Sequence, residues 1–302
     1  MAAVLILGSE TDPQVERARN GIRAHGGRSY LCDTTTLSDH TCLSIRDNRV
    51  YLGSRTIPPI QSVYLRGLGV SPLAPECRDD MRRRPYGLLA QVDERRSLLG
   101  SALKLLEARG VRIVNTIEAN GLHAFKPYQL ARIAQAGVPV PPTLASADPG
   151  LVRQFAHAHG RVVYKPIGGG ALVQPLTAAD LSPERIEALA LAPVLFQKWC
   201  DGISLRVYVA GRKAIAAAAI HSTELDYRRK EDAVTPIRLT ADERRAAIAA
   251  AKACGMPFTG VDLIRMKRGF VVLECNPSPM FAAFEDKTGL DVSGPLARLL
   301  LA

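Results

Sequence analysis

The apolar and polar positions at the start of the chain alternate between short apolar runs and longer segments with helical spacing. "AVLILG" predicts a strand, "DPQVERARNGIRAHGG" a helix closed by glycines, and "RSYLCDT" a second strand. A hairpin turning at Asp47 and Asn48, the strand "SVYLRG", a helix over residues 85–109 and the strand "RGVRIVN" are predicted next. This order predicts an α/β domain that ends near Asn115.

From Thr116 onward the pattern changes to helices and strands separated by turns rich in glycine and proline. A helix, "PYQLARIAQAG", precedes the extended "VPVPPT", because prolines restrict their own and their neighbours' dihedral angles. The segment "RVVYKPIGGGALV" and the strands "APVLFQKWCDG" and "SLRVYVAGRKAIAAAAIH" follow. Thr240 and Glu243 then predict the capping box of another helix. The hairpin "GVDLIRMKRGFVVLECN" and the short helix "GPLARLLL" close the chain.

The closing hairpin carries three oxygen-bearing side chains at the ends of its strands. A three-residue turn over 267–269, with Gly269 left-handed, pairs Asp262 with Glu274. Because side chains alternate along a strand, Glu274 and Asn276 then face the same side as Asp262. Oxygen ligands without histidine or thiolate favour a hard cation such as Mg²⁺, completed by phosphate oxygens and water. The competing interpretation is an edge hairpin with solvated acidic residues, and a two-residue turn would shift the register and separate the three groups.

A lysine and a run of glycines follow another apolar strand. Lys165 ends the run "VVYK", and Gly168, Gly169 and Gly170 form a loop whose N–H groups can approach phosphates closely. The segment is not a Walker sequence, because the lysine precedes the glycines. The alternative interpretation is an ordinary glycine turn.

A strand exit and the strand after it supply further candidate ligands. Main-chain groups and an apolar wall at Gln197, Lys198 and Trp199 could hold a purine, although the single tryptophan is equally typical of a core. Arg206 and Tyr208 face the same side of the next strand. An arginine buried within a strand needs an anionic partner, and phosphate fits its planar guanidinium.

Composition limits the classes of protein and partner. The chain has 302 residues, 47% of them apolar, which suffices for two or three domains. The opening apolar run is too short for a signal peptide, and no membrane association is expected. Six cysteines without a C-x-x-C pair favour a reducing compartment and predict the cytoplasm. The net charge of +10 favours an anionic partner, but the basic clusters are not interleaved with aromatic residues, which argues against nucleic acid.

The chain resembles the ATP-grasp superfamily in the order of its motifs. These motifs are Lys165 with the glycine loop, the candidate purine-binding segment 197–199, the strand arginine Arg206 and the D-(x)₁₁-E-x-N hairpin. The similarity is greatest to the RimK-like glutamate ligases and their peptide-modifying relatives, and it covers about Asn115 to the C-terminus. It implies an α/β and α+β protein in which an N-terminal Rossmann-like (pre-ATP-grasp) domain precedes a two-subdomain ATP-grasp fold. The implied domains are residues 1–115, 116–195 and 196–302.

The resemblance also implies a role for each candidate residue. The residues implied to bind ATP are Lys126, Lys165, Gly168, Gly169, Gly170, Gln197, Lys198, Trp199 and Ser204. The implied metal ligands are Asp262, Glu274 and Asn276, and Arg206 is the arginine near the γ-phosphate and the reaction centre. The segment "DYRR" resembles a substrate loop, so Arg228 and Arg229, together with Arg66, are the candidates for binding substrate carboxylates.

The implied activity is that of an ATP-dependent carboxylate–amine ligase. ATP phosphorylates a carboxylate, and an amine attacks the acyl phosphate, with Mg²⁺ as the expected metal and Mn²⁺ as an alternative. The expected acceptor is an acidic peptide or an anionic small molecule that receives a glutamate-like amino acid. The N-terminal pattern is also similar to ligases that form ester and amide crosslinks in peptides.

Two residues differ from the family pattern and allow a third possible function besides the two ligase activities. Ser204 and Lys198 stand where the family often has acidic residues, so a nucleotide-binding module without ligase activity is a further alternative. The sequence names neither substrate, and it leaves a homo-oligomer open.

Overall fold

The computed structural model of the protein describes residues 2–35, 43–53, 55–69, 71–168, 172–222 and 233–302. The chain divides into two compact units. Unit 1 is Met1–Ile117 with Met280–Ala282 and Asp291–Ala302, and unit 2 is Glu118–Pro279 with Ala283–Leu290. The three domains expected from the sequence stay predictions. No helix in the described ranges has the length and apolarity needed to cross a membrane.

The secondary structure combines helices and strands along the whole chain. The helices are α1 Pro13–Ala24, α2 Arg78–Arg83, α3 Pro85–Ala108, α4 Ile117–Gly121, α5 Lys126–Gln135, α6 Pro149–His159, α7 Pro183–Glu187, α8 Ala241–Ala253, α9 Ala282–Thr288 and α10 Ser293–Leu301. The strands are β1 Ala3–Gly8, β2 Arg28–Asp33, β3 Leu43–Arg46, β4 Arg49–Leu52, β5 Arg55–Thr56, β6 Ser62–Leu65, β7 Arg112–Val114, β8 Thr143–Ser146, β9 Val162–Pro166, β10 Gln174–Pro175, β11 Val194–Lys198, β12 Ile203–Ala210, β13 Lys213–His221, β14 Ala233–Pro236, β15 Phe258–Arg265 and β16 Phe270–Asn276.

Unit 1 is built on a parallel sheet in the order β2-β1-β6-β7. Every residue of β1 is buried, as expected for a parallel strand covered on both faces. Leu99 and Leu103 of α3 join Leu5 and Leu65 of the sheet in one apolar core. This arrangement confirms the α/β class that the opening pattern predicts.

A small antiparallel sheet, β3-β4-β5, accompanies the parallel one. Its first turn places Asp47 and Asn48 at φ values of 49° and 58°. Two consecutive left-handed residues suit a tight two-residue hairpin turn, and Asn and Asp tolerate that conformation. The predicted hairpin is therefore confirmed.

Unit 2 contains two antiparallel sheets. The four-stranded sheet has the order β10-β9-β11-β8, and Phe196 packs there with Val152 of α6 and Ile186 of α7. The five-stranded sheet has the order β14-β13-β12-β15-β16, with β16 at its edge. One face of this second sheet packs against α5 and α8 in an apolar core to which Ile133 and Ala247 belong.

Helix α8 begins with the capping box that the sequence predicts. The Thr240 hydroxyl accepts a hydrogen bond from the Glu243 N–H (3.2 Å), and the Glu243 carboxylate accepts one from the Thr240 N–H (2.8 Å). Two N–H groups at the helix start are thereby satisfied.

The hairpin β15–β16 has the predicted partners at its open end but a different turn. Arg265 pairs with Phe270, so four residues rather than three form the loop, and the Met266 N–H donates to the Gly269 carbonyl (3.1 Å). A β-bulge at Leu273 then shifts the register by one residue. The prediction of a three-residue turn is wrong, and the bulge restores the pairing at the strand ends.

Candidate active site

Two carboxylates and a carboxamide lie together on the paired strands β15 and β16, with Asp262 in the middle of β15 and Glu274 and Asn276 near the end of β16. Asp262 is directly opposite Glu274 in the sheet, as predicted, and Gly260 is opposite Asn276. The Asn276 side-chain N–H donates to an Asp262 carboxylate oxygen (3.0 Å). All three predicted metal ligands are therefore neighbours on the last two strands of the sheet.

Arg206 reaches the same cluster from the adjacent strand β12, where it is opposite Asp262. Its Nε donates to Asp262 Oδ1 at 2.5 Å and its Nη2 to Asp262 Oδ2 at 3.1 Å. Both side chains are largely buried, with exposed fractions of 13% and 11%. The anionic partner that a buried strand arginine requires is thus Asp262 in this structure, whereas the sequence pointed to phosphate.

The two predicted phosphate lysines belong to the same electrostatic environment. Burial alone would raise the pKa of Glu274, but the charges of Lys165, Lys126 and Arg206 hold that pKa below its ordinary value. Lys126 is buried at the start of α5, and its Nζ donates to the His123 carbonyl (2.9 Å). Lys165 lies near the end of β9, as the sequence predicts.

The pKa of Asp262, unlike that of Glu274, is raised above its ordinary value. Its burial raises the pKa of the carboxyl, and Glu274 raises it further, although Arg206 opposes both effects. Two carboxylates at directly paired positions repel each other, and a cation between them relieves that repulsion.

The residues fit a magnesium site that phosphate would complete. Among the residues that the structure describes, no group of three or more His, Cys, Asp or Glu side chains is arranged to hold a metal ion. The predicted set has only two carboxylates, with a carboxamide as its third member. Mg²⁺ is commonly held by one or two carboxylates together with substrate phosphates and water, so this donor set suits a metal that arrives with a nucleotide.

The glycine loop and the substrate loop can be followed only in part. Gly168 is exposed, and no described residue beyond its chain neighbours has an atom within 4 Å of the position that a Cβ would take there. Gly169 and Gly170 lie outside the described residues, as do Arg228 and Arg229. Their implied roles stay predictions.

At the predicted purine-binding segment, several groups already have partners within the protein. The Gln197 side chain donates to Thr143 Oγ1 (3.1 Å), and the Lys198 N–H donates to the Pro142 carbonyl (3.0 Å). The Trp199 N–H donates to the Arg161 carbonyl (2.9 Å). Hydrogen bonds to a purine would therefore come from carbonyl groups of this segment or from N–H groups beyond Trp199.

The Trp199 side chain has a setting that the sequence did not predict. The Arg161 guanidinium lies over its ring at 4.0 Å, and the indole N–H donates to Asp201 (2.7 Å). Arg161 also pairs with Asp201 (2.9 Å). Trp199 is thus part of a polar cluster rather than plain core. Ser204 lies on β12, two residues before Arg206 and on the same side of the strand.

Arg66, the candidate substrate residue in unit 1, directly follows β6. Its Nε donates to Asp12 (2.7 Å), the residue that caps α1. With an exposed fraction of only 11%, the side chain already neutralises one carboxylate. The predicted contact with a substrate carboxylate would have to share the guanidinium with Asp12.

Comparison with known proteins identifies the family. The family model of the RimK-like ATP-grasp domain matches residues 129–300, more than half of the chain. The chain belongs to the RimK-like ATP-grasp family. A probable alpha-L-glutamate ligase of Pseudoalteromonas translucida is 32% identical over 207 residues, covering 64% of this chain and 68% of that protein.

Structural similarity extends over nearly the whole chain. The ATP-grasp ligase PsnB, solved with a phosphomimetic variant of its minimal precursor, Mg and ADP, superposes with a TM-score of 0.90 at 34% identity, covering 98% of this chain and 97% of PsnB. PsnB solved with precursor peptide PsnA2 and AMPPNP gives 0.85 at 31% identity, covering 98% and 95%. The predicted fold class, the ATP-dependent ligase class and the ATP and Mg²⁺ cofactors are thereby confirmed for this RimK-like chain.

Three residues at the RimK-like site were not found from the sequence. The Thr259 hydroxyl donates to the Asn276 carbonyl (2.8 Å), and Gly260 lies against the Arg206 side chain. Gln129, three residues after Lys126, is 1% exposed and contacts the main chain of Cys275. Gln129 could have been noticed in the sequence, because it is a polar residue at a position that the helical periodicity assigns to the buried face.

Proposed function

We propose that the chain is an ATP-dependent ligase that activates a side-chain carboxylate of a precursor peptide and joins it to a nucleophile of that peptide. The observation that carries the proposal is the convergence of Asp262, Glu274 and Arg206 on one cluster. Lys126 and Lys165 act electrostatically on the same carboxylate, Glu274. Such a site holds the charges needed for phosphoryl transfer from a metal-bound nucleotide.

In this proposal the chain's own residues act by binding and by electrostatics. Asp262, Glu274 and Asn276 would hold Mg²⁺, which would neutralise charge on the phosphates. Lys126 and Lys165 would bind phosphate oxygens, and Arg206 would stabilise charge on the γ-phosphoryl group. A substrate carboxylate oxygen attacks the γ-phosphorus, the bond to the bridging oxygen of ADP breaks, and an acyl phosphate forms. The substrate amine or hydroxyl then attacks the acyl carbon, loses its proton and displaces phosphate.

A peptide substrate is supported by the extent of the similarity. The similarity to PsnB, at 34% identity, covers 98% of this chain. Unit 1 is thus included in the similarity to a ligase that was solved with its precursor. Addition of a glutamate-like amino acid to an acidic acceptor, favoured by the glutamate ligase relatives, is the second candidate.

The acceptor is proposed to be acidic. The net charge of +10 favours anionic partners, and Arg228, Arg229 and Arg66 are the candidates for holding carboxylates. A cytoplasmic location and a homo-oligomer stay predictions.

The test of this function combines turnover with product analysis. The protein is incubated with ATP, Mg²⁺ and a panel of acidic peptides, with and without free glutamate, and ADP release and peptide mass are measured. Crosslinking removes one water from the peptide, whereas glutamate addition adds one glutamyl residue. ADP release that needs neither carboxylate nor amine would contradict both candidates.

The metal site supplies the matched variants. Asp262→Asn and Glu274→Gln should each reduce Mg²⁺-dependent ATP turnover by about 100-fold or more, because each removes a charge that holds the cation. Circular dichroism should stay near that of the native protein, since the apolar face of the hairpin is unchanged. Turnover like that of the native protein in either variant would overturn the site assignment.

A further inference from the structure

Strand β16 ends the five-stranded sheet, so its outer edge pairs with no other strand among the residues that the structure describes. Main-chain groups on such an edge need other partners when they are buried. This strand also carries Glu274 and Asn276. The hydrogen bonds that fix the main chain of this edge strand therefore also fix the positions of Glu274 and Asn276, two of the three predicted metal ligands.

The bulge at Leu273 changes which main-chain groups point outward. Val272 and Cys275 are three residues apart, yet both belong to the same apolar core. Strict alternation would place them on opposite faces of the strand. The Val272 N–H donates to the Pro139 carbonyl (2.8 Å), which covers the edge before the bulge.

After the bulge, the edge is covered by the carboxamide of Gln129. Its oxygen accepts from the Cys275 N–H (2.9 Å) and its nitrogen donates to the Cys275 carbonyl (2.9 Å). The nitrogen also lies 3.4 Å from the Leu122 carbonyl. A carboxamide has the same donor and acceptor as a peptide group, so Gln129 replaces one residue of a missing strand.

The opposite side of the same peptide segment is fixed by Thr259, whose hydroxyl donates to the Asn276 carbonyl. The main chain between Glu274 and Asn276 is thus held from both sides. Gln129 lies on α5, the helix that begins with Lys126. One buried side chain therefore joins the element of the predicted phosphate lysine to the element of the metal ligands.

We propose that Gln129 is a positioning residue of the ligase site, which sets the orientation of Glu274 and Asn276 relative to Lys126 through its paired hydrogen bonds with Cys275. This inference rests on the proposed function, because it assumes that these residues hold a metal–nucleotide complex. Partners that orient metal ligands typically change metal affinity or activity by about 10–100-fold when they are removed.

The deciding variant is Gln129→Met, which keeps the length and volume of the side chain and removes both hydrogen bonds. Ile133→Val on the same helix, in the apolar core, is the control for a general loss of packing, and Gln135→Met is the exposed control. Mn²⁺ binding in the presence of ADP is measured by electron paramagnetic resonance of the free ion. Hydrogen exchange of the Cys275 amide and the KM for ATP are measured on the same proteins.

Gln129→Met should weaken Mn²⁺ binding by about 10–100-fold, raise the KM for ATP and accelerate exchange at Cys275, while both controls stay within about threefold. If Gln129→Met does not fold, Gln129→Leu replaces it, since leucine also removes both hydrogen bonds and introduces no buried charge. Mn²⁺ binding by the Gln129 variant that equals that of Ile133→Val would overturn the inference. Failure of the native protein to bind Mn²⁺ with ADP would instead overturn the proposed function.

Discussion

Gly260 provides the space in which the Arg206 side chain lies. A Cβ at this position would be 3.2 Å from Arg206 Cδ, 3.3 Å from Arg206 Nη1 and 3.0 Å from Pro279 Cβ. These distances are shorter than ordinary van der Waals contacts. A side chain here would press on the guanidinium that pairs with Asp262.

Gly260→Ala should therefore lower kcat for ATP-dependent ligation by about tenfold or more, because a small displacement of a charge-stabilising group has a large effect on rate. Gly100→Ala is the matched control, since the nearest atom that its Cβ would meet among the described residues outside its own helix backbone is Ile117 Cδ1 at 3.8 Å, and alanine is the better helix former. Steady-state kinetics on both variants is the measurement. A kcat for Gly260→Ala within twofold of the native value would show that Arg206 tolerates displacement.

Lys165 allows nucleotide binding to be separated from surface charge. Its charge acts on Glu274, whereas Arg83 is an exposed residue of α2. Lys165→Ala should raise the Kd for ATP by about one to two decades, since it removes a charge-assisted phosphate contact, and Arg83→Ala should change it by less than about twofold. Isothermal titration with a non-hydrolysable ATP analogue measures both. An equal loss of affinity for the ATP analogue in the two variants would show that Lys165 and the following glycines do not form the phosphate site.

Residue identity alone predicted some partners and missed others. Arg206 was expected to need an anion, and it has one, but the sequence does not reveal that β12 and β15 are neighbours in the register that makes the anion Asp262. Trp199 was expected either at a purine or in a core. Its contacts with Arg161 and Asp201 depend on how β9 and β11 pair, which no local pattern encodes.

At the scale of elements, the hairpin β15–β16 shows why a correct site can follow from an incorrect turn. The alternation of apolar residues fixed the faces of each strand, and the pairing of the two strands places Asp262 opposite Glu274. A β-bulge compensates for the longer turn. Its sign in the structure is that Val272 and Cys275, three residues apart, are both buried. The hydrogen bonds of Gln129 could not be predicted from local sequence, because its partner Cys275 lies 146 residues away in the chain.

Helix α8 is tied to the same sheet through its capping residue. Glu243 accepts from Arg265 at 2.6 Å through each carboxylate oxygen, in addition to its capping bond. The hydrogen bond from Arg265 is the largest cause of a Glu243 pKa below the ordinary value. A carboxyl with a lowered pKa in the folded state stabilises the protein above its unfolded pKa, and that stabilisation is lost as the pH falls through the folded value.

Glu243→Gln should therefore lower the free energy of unfolding by about 1–2 kcal/mol at pH 7, and the difference from the native protein should shrink below about pH 4. Urea unfolding at a series of pH values measures it. Glu184→Gln, an exposed position on α7, is the control and should show little effect at any pH. A difference that is constant across the acid range would mean that Glu243 stabilises by packing rather than by its charge.

At the scale of the whole molecule, the excess of basic residues belongs to function rather than to fold. A net charge of +10 raises the local concentration of anionic partners, but such attraction is shared by all anions and is screened by salt. Specific recognition of an acidic peptide requires arginines that contact its carboxylates directly. The two contributions can be separated by their dependence on ionic strength.

Arg228 in the "DYRR" segment is the residue on which this separation can be made. A partly desolvated arginine–carboxylate contact contributes about 1.5–3 kcal/mol, so Arg228→Ala should raise the KM of an acidic acceptor by about one to two decades and leave the KM for ATP nearly unchanged. The increase should persist at high salt, because a direct contact is screened less than a distant charge. Arg83→Ala removes the same charge from an exposed helix and is the control. A loss that is equal for all anionic substrates and disappears with added salt would show that Arg228 contributes only to the general field of the protein.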